Sequence, residues 1–234
     1  MNIPLSKRLQ VCAGLVAPGD RVADIGCDHG YLSIYLLKKG LASSVIAADI
    51  NEMPLQSAKR NAVRFGVSQN IRFYLSDGVK SIPKDFDTLI CAGMGADTMV
   101  SILEAAPWLR SNAYRLILQC QSKTPMLRKY LSDQGWRITE ESVLRDGRFL
   151  YTVMEVLWEP GYPKLTPGEH YFPPALLENP ATELPAYYSQ VLTRLKRAVQ
   201  GRGENACPYM CQAIDELEKL CACDELSWLK EEAQ

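Results

Sequence analysis

Five short apolar runs recur between residues 21 and 118 of this 234-residue chain, at 21–25, 44–48, 71–75, 88–92 and 115–118. Each is bounded by polar or turn-forming residues and is short for a buried helix, so each predicts a strand. Between them the apolar positions move to three- and four-residue spacing, which predicts helices over 31–39, 54–65, 96–108 and 125–134. Pro54 falls in the first turn of its helix, where a missing N–H does no harm. An amphipathic stretch over 5–16 puts Leu5, Leu9, Cys12, Ala13 and Val16 on one face, and Pro18-Gly19-Asp20 stops it. Strands that alternate with helices predict βαβ units and a parallel sheet. Two further β-rich runs, 136–144 and 148–157, are separated by Arg145-Asp146-Gly147, a strong hairpin signal.

The pattern changes after Glu159-Pro160-Gly161. Residues 160–185 hold seven prolines and predict a long irregular connection. From Ala186 helical spacing returns in Tyr187, Val191, Leu195, Ala198 and Val199, and Gly201-Arg202-Gly203 breaks it. A second helix over about 210–220 carries Met210, Ala213, Ile214, Leu217 and Leu220 on one face. Two such helices predict an αα-hairpin. The expected organisation is a ligand-binding α/β domain over 1–159, a connection over 160–185 and a helical, coiled-coil-like domain over 186–234.

Charge adds one contrast. The net charge is −1, so the chain as a whole favours neither nucleic acid nor an acidic partner. Residues 1–160 carry 19 Lys/Arg against 16 Asp/Glu, whereas residues 161–234 carry 7 against 11. Within that second part Arg194, Lys196, Arg197 and Arg202 form a basic stretch, followed by an acidic one. The eight cysteines sit in a chain too long for a small disulfide framework, and residues 1–8 lack the apolar core of a signal peptide. No apolar run approaches the roughly 18 residues that a membrane span needs. The expectation is a soluble cytoplasmic protein with reduced thiols, no membrane association and no obligatory protein partner. Cys207, Cys211, Cys221 and Cys223 fit only half of a zinc pattern. On a helix, Cys207, Cys211, Ile214 and Cys221 share one apolar stripe, so core cysteines are expected and no metal.

Candidate chemistry begins at Asp24-Ile25-Gly26-Cys27-Asp28-His29-Gly30. A strand that ends there and turns into a helix leaves a crevice at its carboxyl end, where open α/β sheets bind ligands. A dinucleotide fingerprint needs glycines at relative positions 1, 3 and 6. Here Gly26 and Gly30 are four apart, with Asp28 and His29 in the turn. An acid there would repel a pyrophosphate but could accept from an ammonium group, which favours S-adenosylmethionine over NAD. Asp49, at the end of the second strand with Ile50 beside it, suits ribose hydroxyls. Asp77-Gly78 ends the third strand, where a carboxylate can reach an adenine amine or simply form a turn. Ala92-Gly93-Met94-Gly95 ends the fourth, and its glycines let a planar group approach the backbone. Gln119 and Gln121 follow the fifth and could bond a base edge. No hydrolytic triad is readable.

These motifs carry a resemblance. Leu5-Ser6-Lys7-Arg8-Leu9, the segment from Ala23 to Leu32, Gln56-Ser57-Ala58-Lys59, Ala92-Gly93-Met94-Gly95 and Leu116-Ile117-Leu118-Gln119 resemble the bacterial tRNA (adenine-N1)-methyltransferases that act on a D-arm adenine, at position 22. The likeness covers residues 5 to about 158. Gly30 stands where the family often has alanine, and Cys120-Gln121 replaces a frequent Pro-Asn. The resemblance implies a class I Rossmann-like fold, a parallel sheet finished by an antiparallel hairpin, plus a helical C-terminal domain. It implies methyl transfer from S-adenosylmethionine to adenine N1 in tRNA. Arg8, Asp24, Gly26, Asp28, Gly30, Asp49, Ile50, Asp77, Gly78 and Gly93 are the implied cofactor residues. Asp28 would hold the methionyl part, with Arg8 on its carboxylate. Gly93, Met94, Gly95 and Gln119 would line the base slot, with His29, Asp28 and Met94 at the reacting centre. Arg194, Lys196, Arg197 and exposed Lys59, Arg60 and Arg64 are candidates for phosphate contacts. A protein or small-molecule acceptor, and a non-catalytic tRNA-binding scaffold, remain the alternatives.

Overall fold

The computed structural model describes residues 3–178, 180–201, 207–222, 226, 228 and 229. Arg202 and Cys223 lie outside them. Seven strands form one sheet: β1 (Asp20–Ile25), β2 (Ala42–Asp49), β3 (Ile71–Leu75), β4 (Thr88–Gly95), β5 (Arg115–Ser122), β6 (Trp136–Asp146) and β7 (Phe149–Trp158). Their spatial order is β3-β2-β1-β4-β5-β7-β6. The first five strands run parallel, and β7 pairs antiparallel with both β5 and β6. The chain builds outward from β1 to β3 on one side and then returns to place β4 on the other. That reversal opens a crevice at the carboxyl ends of β1 and β4.

Continuous apolar strands suit a sheet covered on both faces. Neighbouring residues serve opposite layers. Ile90 and Ile117 pack with Val22, Ala47 and the helices α1 (Lys7–Gly14), α2 (Tyr31–Lys38) and α3 (Glu52–Arg64). Leu89, Cys91, Leu116 and Leu118 pack on the other face with Ala23, Ile46 and the helices α4 (Ala96–Glu104) and α5 (Thr124–Asp133).

The structure departs from the sequence reading in three places. First, β4 runs through Gly95 and β5 through Ser122, so Ala92-Gly93-Met94-Gly95 and Gln119-Cys120-Gln121 are paired strand ends rather than loops. Register shifts between Ala92 and Gly95 mark a bulged ending. Second, the β6–β7 turn is Gly147-Arg148, one step later than Asp146-Gly147, with Asp146 opposite Phe149. Gly147 has φ +61°, as the first central residue of a tight hairpin turn requires. Third, the proline-rich connection contains two short helices, α6 (Pro167–Tyr171) and α7 (Ala175–Glu178). Pro167 occupies the first turn of α6, and Thr166 with Glu169 forms a reciprocal capping box. The prolines there start helices instead of preventing them.

Helices α8 (Leu184–Gln200) and α9 (Pro208–Leu220) pack through Tyr188, Leu195, Ala213 and Leu217, and Tyr188 donates to the Leu217 carbonyl at 2.7 Å. Their cluster also takes in Val143 of β6 and Phe172. A buried ion pair ties this layer to the sheet. Arg128 of α5 and Glu141 of β6 are both fully buried and meet at 2.7 and 3.0 Å. The remaining Arg128 donors go to the carbonyls of His170 (3.1 Å) and Tyr171 (2.8 Å) and to the Tyr187 hydroxyl of α8 (3.1 Å). All five guanidinium N–H groups are thereby used.

Candidate active site

The crevice between β1 and β4 holds a cleft of about 300 Å³ lined by Arg8, Asp24, Gly26, Cys27, Asp28, His29, Tyr31, Ala92 and Gly93, among others. Its shape follows from the turn after β1. Gly26 and Cys27 donate backbone N–H groups to the Ala48 carbonyl, and Gly30 donates to the Cys27 carbonyl, which folds the chain sharply into α2. Gly26 has φ +73°, and a Cβ there would lie 2.3 Å from the Met94 methyl carbon. Glycine is therefore required for both backbone and space. Gly30 caps α2 with φ +73°, and a Cβ would meet the Ala58 Cβ at 2.9 Å. Glycine at this position avoids both the strain of a positive φ and that approach.

Three carboxylates sit in this corner in different states. Asp24 is 3% exposed; its carboxylate accepts the Ser33 hydroxyl at 2.6 Å at the start of α2. Burial pushes its carboxyl up to about 6, against the opposing effect of the Ser33 hydroxyl and N–H. Asp49 accepts the Asp28 N–H at 3.0 Å and the Asn51 N–H at 2.8 Å, so one side chain joins the ends of β1 and β2. Asp28 stands in the left-handed region with φ +50° and keeps its side chain 71% exposed. Among non-glycine residues Asp and Asn tolerate that conformation best. His29 lies beside it, with Nε2 at 3.7 Å from the Asp28 carboxylate. Burial, then Asp24, Asp49 and Asp28, push the Cys27 thiol far up, which leaves it protonated and unreactive.

Arg8 lines the same cleft as Asp24 and Asp28. The Arg8 guanidinium packs over the Tyr151 ring at 5.7 Å, and its buried Nε has no hydrogen-bond partner. A buried, charged donor without an acceptor is costly unless a ligand supplies one. Ile50, immediately after Asp49 at the end of β2, is 63% exposed. Asp77 is exposed and pairs with Lys80, while Gly78 packs against Ile102.

The base-slot residues divide differently from expectation. Met94 covers Gly26, and Gly95 lies near the Ser122 hydroxyl. Gln119, expected at the base, is fully buried. Its Oε1 accepts the Gly93 N–H at 3.1 Å and its Nε2 donates to the Cys120 carbonyl at 3.1 Å. Both ends of its amide are engaged within the protein, so Gln119 positions Gly93. Gln121 is half-buried and lines a second cavity of about 380 Å³ with Tyr151, Tyr171, Tyr187 and Arg194. The basic stretch of α8 also divides. Arg194 faces this cavity, whereas Lys196 pairs with Glu218 of α9 at 2.5 Å beside a different hollow. Lys196, expected at phosphate, thus has an acid beside it. Arg197, Lys59, Arg60 and Arg64 are exposed. Among the described residues no helix is long and apolar enough to cross a membrane.

The family model for the methyltransferase domain matches residues 5–154. In sequence the chain is similar to tRNA (adenine(22)-N(1))-methyltransferase of Bacillus subtilis, 35% identical over 154 residues, which span 65% of each protein. The B. subtilis m1A22 tRNA methyltransferase TrmK superposes with a TM-score of 0.76 at 28% identity, covering 98% of this chain and 99% of that one. Streptococcus pneumoniae Sp1610 superposes with a TM-score of 0.77 at 30% identity, covering 97% and 99%. The chain belongs to the bacterial tRNA (adenine-N1)-methyltransferase family. Sp1610 in complex with S-adenosyl-L-methionine gives a TM-score of 0.79 at 29% identity, over 92% of this chain and 99% of that one. The sequence match to the B. subtilis methyltransferase covers 65% of this chain, whereas the structural match to TrmK covers 98% of it.

Proposed function

We propose that this protein transfers a methyl group from S-adenosyl-L-methionine to N1 of an adenine in tRNA, at position 22 of the D arm. The observation that carries this reading is the cleft at the β1–β4 reversal, where Arg8, whose buried Nε has no partner, shares the lining with the carboxylates of Asp24 and Asp28. An acidic floor disfavours a pyrophosphate, while the lone guanidinium suits a single carboxylate. Together they fit an amino-acid end that carries both charges. S-adenosyl-L-methionine, when bound, supplies an electrophilic methyl group on a sulfonium sulfur.

The protein's residues then have distinct tasks. Arg8 holds the carboxylate end, and Asp28 accepts from the ammonium. Asp49 keeps the loop closed through its two backbone bonds and faces the ribose. Ile50 covers one face of the purine, and the turn at Asp77-Gly78 borders it. Gly93 and Met94 form the wall between this cleft and the acceptor base. Adenine N1 has an in-plane lone pair and attacks without a base once it is unpaired. Catalysis is therefore a matter of positioning and of favouring the cationic product, to which the exposed Asp28 carboxylate contributes. His29, beside Asp28 at the mouth, contacts the incoming nucleotide. Taking the base out of its stack costs a few kcal/mol. Arg194 and Arg197 of α8 contribute phosphate contacts to that.

The test is incubation with labelled S-adenosyl-L-methionine and unmodified bulk tRNA, followed by nucleoside analysis. Label in N1-methyladenosine is expected. Label recovered in another nucleoside, or none in tRNA, would refute the reading.

A further inference from the structure

We infer that Gln121 is a specificity-determining residue whose side-chain carbonyl reads the exocyclic amine of the target adenine; the inference rests on the proposed reaction. The buried amide of Gln119 sets the orientation of Gln121. Because a backbone N–H, that of Gly93, donates to one of its atoms at 3.1 Å, that atom must be the oxygen. Its nitrogen correspondingly meets the Cys120 carbonyl at 3.1 Å. The orientation of Gln119 is fixed at both ends.

Gln121, two residues along β5, projects to the same side of the strand. Its Nε2 donates to the same Gln119 oxygen at 3.3 Å. Turning the amide over would set oxygen against oxygen, so the nitrogen end is held inward. The oxygen end of Gln121 receives no hydrogen bond from any described residue. It is left as a half-buried acceptor on the cavity wall.

Gly93, beside it, leaves open space. A Cβ built on Gly93 would find only Gln121 Nε2, at 3.9 Å, within 4 Å. The bare face of Gly93 and the Gln121 amide therefore form one corner, on the acceptor side of the cofactor cleft. A planar base lying against Gly93 presents its edge to Gln121. In adenine the exocyclic amine, a donor, is next to the reacting N1, and it complements a carbonyl acceptor. In guanine or hypoxanthine that position is a carbonyl and N1 bears hydrogen, so two acceptors would oppose each other. An unpaired polar group in such a corner rejects the wrong partner more strongly than an apolar wall does.

The experiment compares two synthetic tRNAs that differ at the target nucleotide only, adenosine against purine riboside, which keeps N1 and lacks the amine. Wild type, Gln121→Met and Gln121→Ala are assayed for kcat/KM on both. The intrinsic difference in N1 reactivity enters every enzyme equally and cancels in the comparison. Wild type should prefer adenosine, and both variants should narrow that preference about tenfold, with affinity for S-adenosyl-L-methionine and Tm unchanged. A merely structural role would slow both substrates alike and leave the preference as it was, which would overturn the inference. Wild type inactive on the adenosine tRNA would instead overturn the functional reading, and the inference with it.

Discussion

At the scale of single residues, the site is an arrangement of charges in unequal surroundings. Arg8 is the clearest case: a guanidinium resting on Tyr151 with its buried Nε unpartnered. Replacing it with methionine keeps the bulk and removes the donor. Arg8→Met should weaken binding of S-adenosyl-L-methionine about tenfold or more by calorimetry, as expected for a charged hydrogen bond. Asp24 is the opposite case, a carboxyl pushed up to about 6 by burial. A raised carboxyl favours the folded state while protonated, so its contribution is full below pH 4 and is lost as the pH rises through 6. Asp24→Asn removes that dependence. Relative to the variant, wild type should lose about 2 kcal/mol of unfolding free energy between pH 4.5 and pH 7, read by denaturant titration. The acids at 24, 28 and 49 were legible because strand ends can be read from local pattern. The roles of Gln119 and Gln121 were not. Which of two glutamines faces the ligand depends on the bulged register between β4 and β5, and nothing local in the sequence encodes that pairing.

At the scale of elements, a buried polar connection set in apolar packing ties the helical layer to the sheet. Arg128 joins α5, β6, α6 and α8, and its partners lie 13, 42, 43 and 59 residues away in sequence. Such a pin leaves no local signature, so it was invisible in the chain. Arg128→Met strands the Glu141 carboxylate in the interior and should cost about 3–5 kcal/mol of stability in chemical denaturation. Arg128→Met combined with Glu141→Leu should recover much of the loss, because no unpaired charge then remains. The strands and main helices were legible because their periods are regular. The proline-rich connection was misread because Pro167 and Pro185 sit in first turns, where a composition that reads as irregular is compatible with a helix.

At the scale of the molecule, the strand order places the cofactor turn and the Ala92–Gly95 strand end on either side of one reversal. The pinned helical layer adds a second wall, which carries Arg194, next to the acceptor side. The division of α8 predicts how tRNA is held. Arg194→Ala should weaken tRNA binding and lower the slope of log affinity against log salt by roughly one. Lys196→Ala, which removes a cation already paired with Glu218, should leave that slope unchanged. The most direct test of the central claim uses a methyl on N1, which blocks base pairing and stops reverse transcription. An unmodified tRNA transcript is incubated with the protein and S-adenosyl-L-methionine and then copied from a primer. A cofactor-dependent stop at adenine 22, absent from a transcript carrying guanine there, is the expected result. Read-through at adenine 22, with the cofactor shown to bind, would contradict the account.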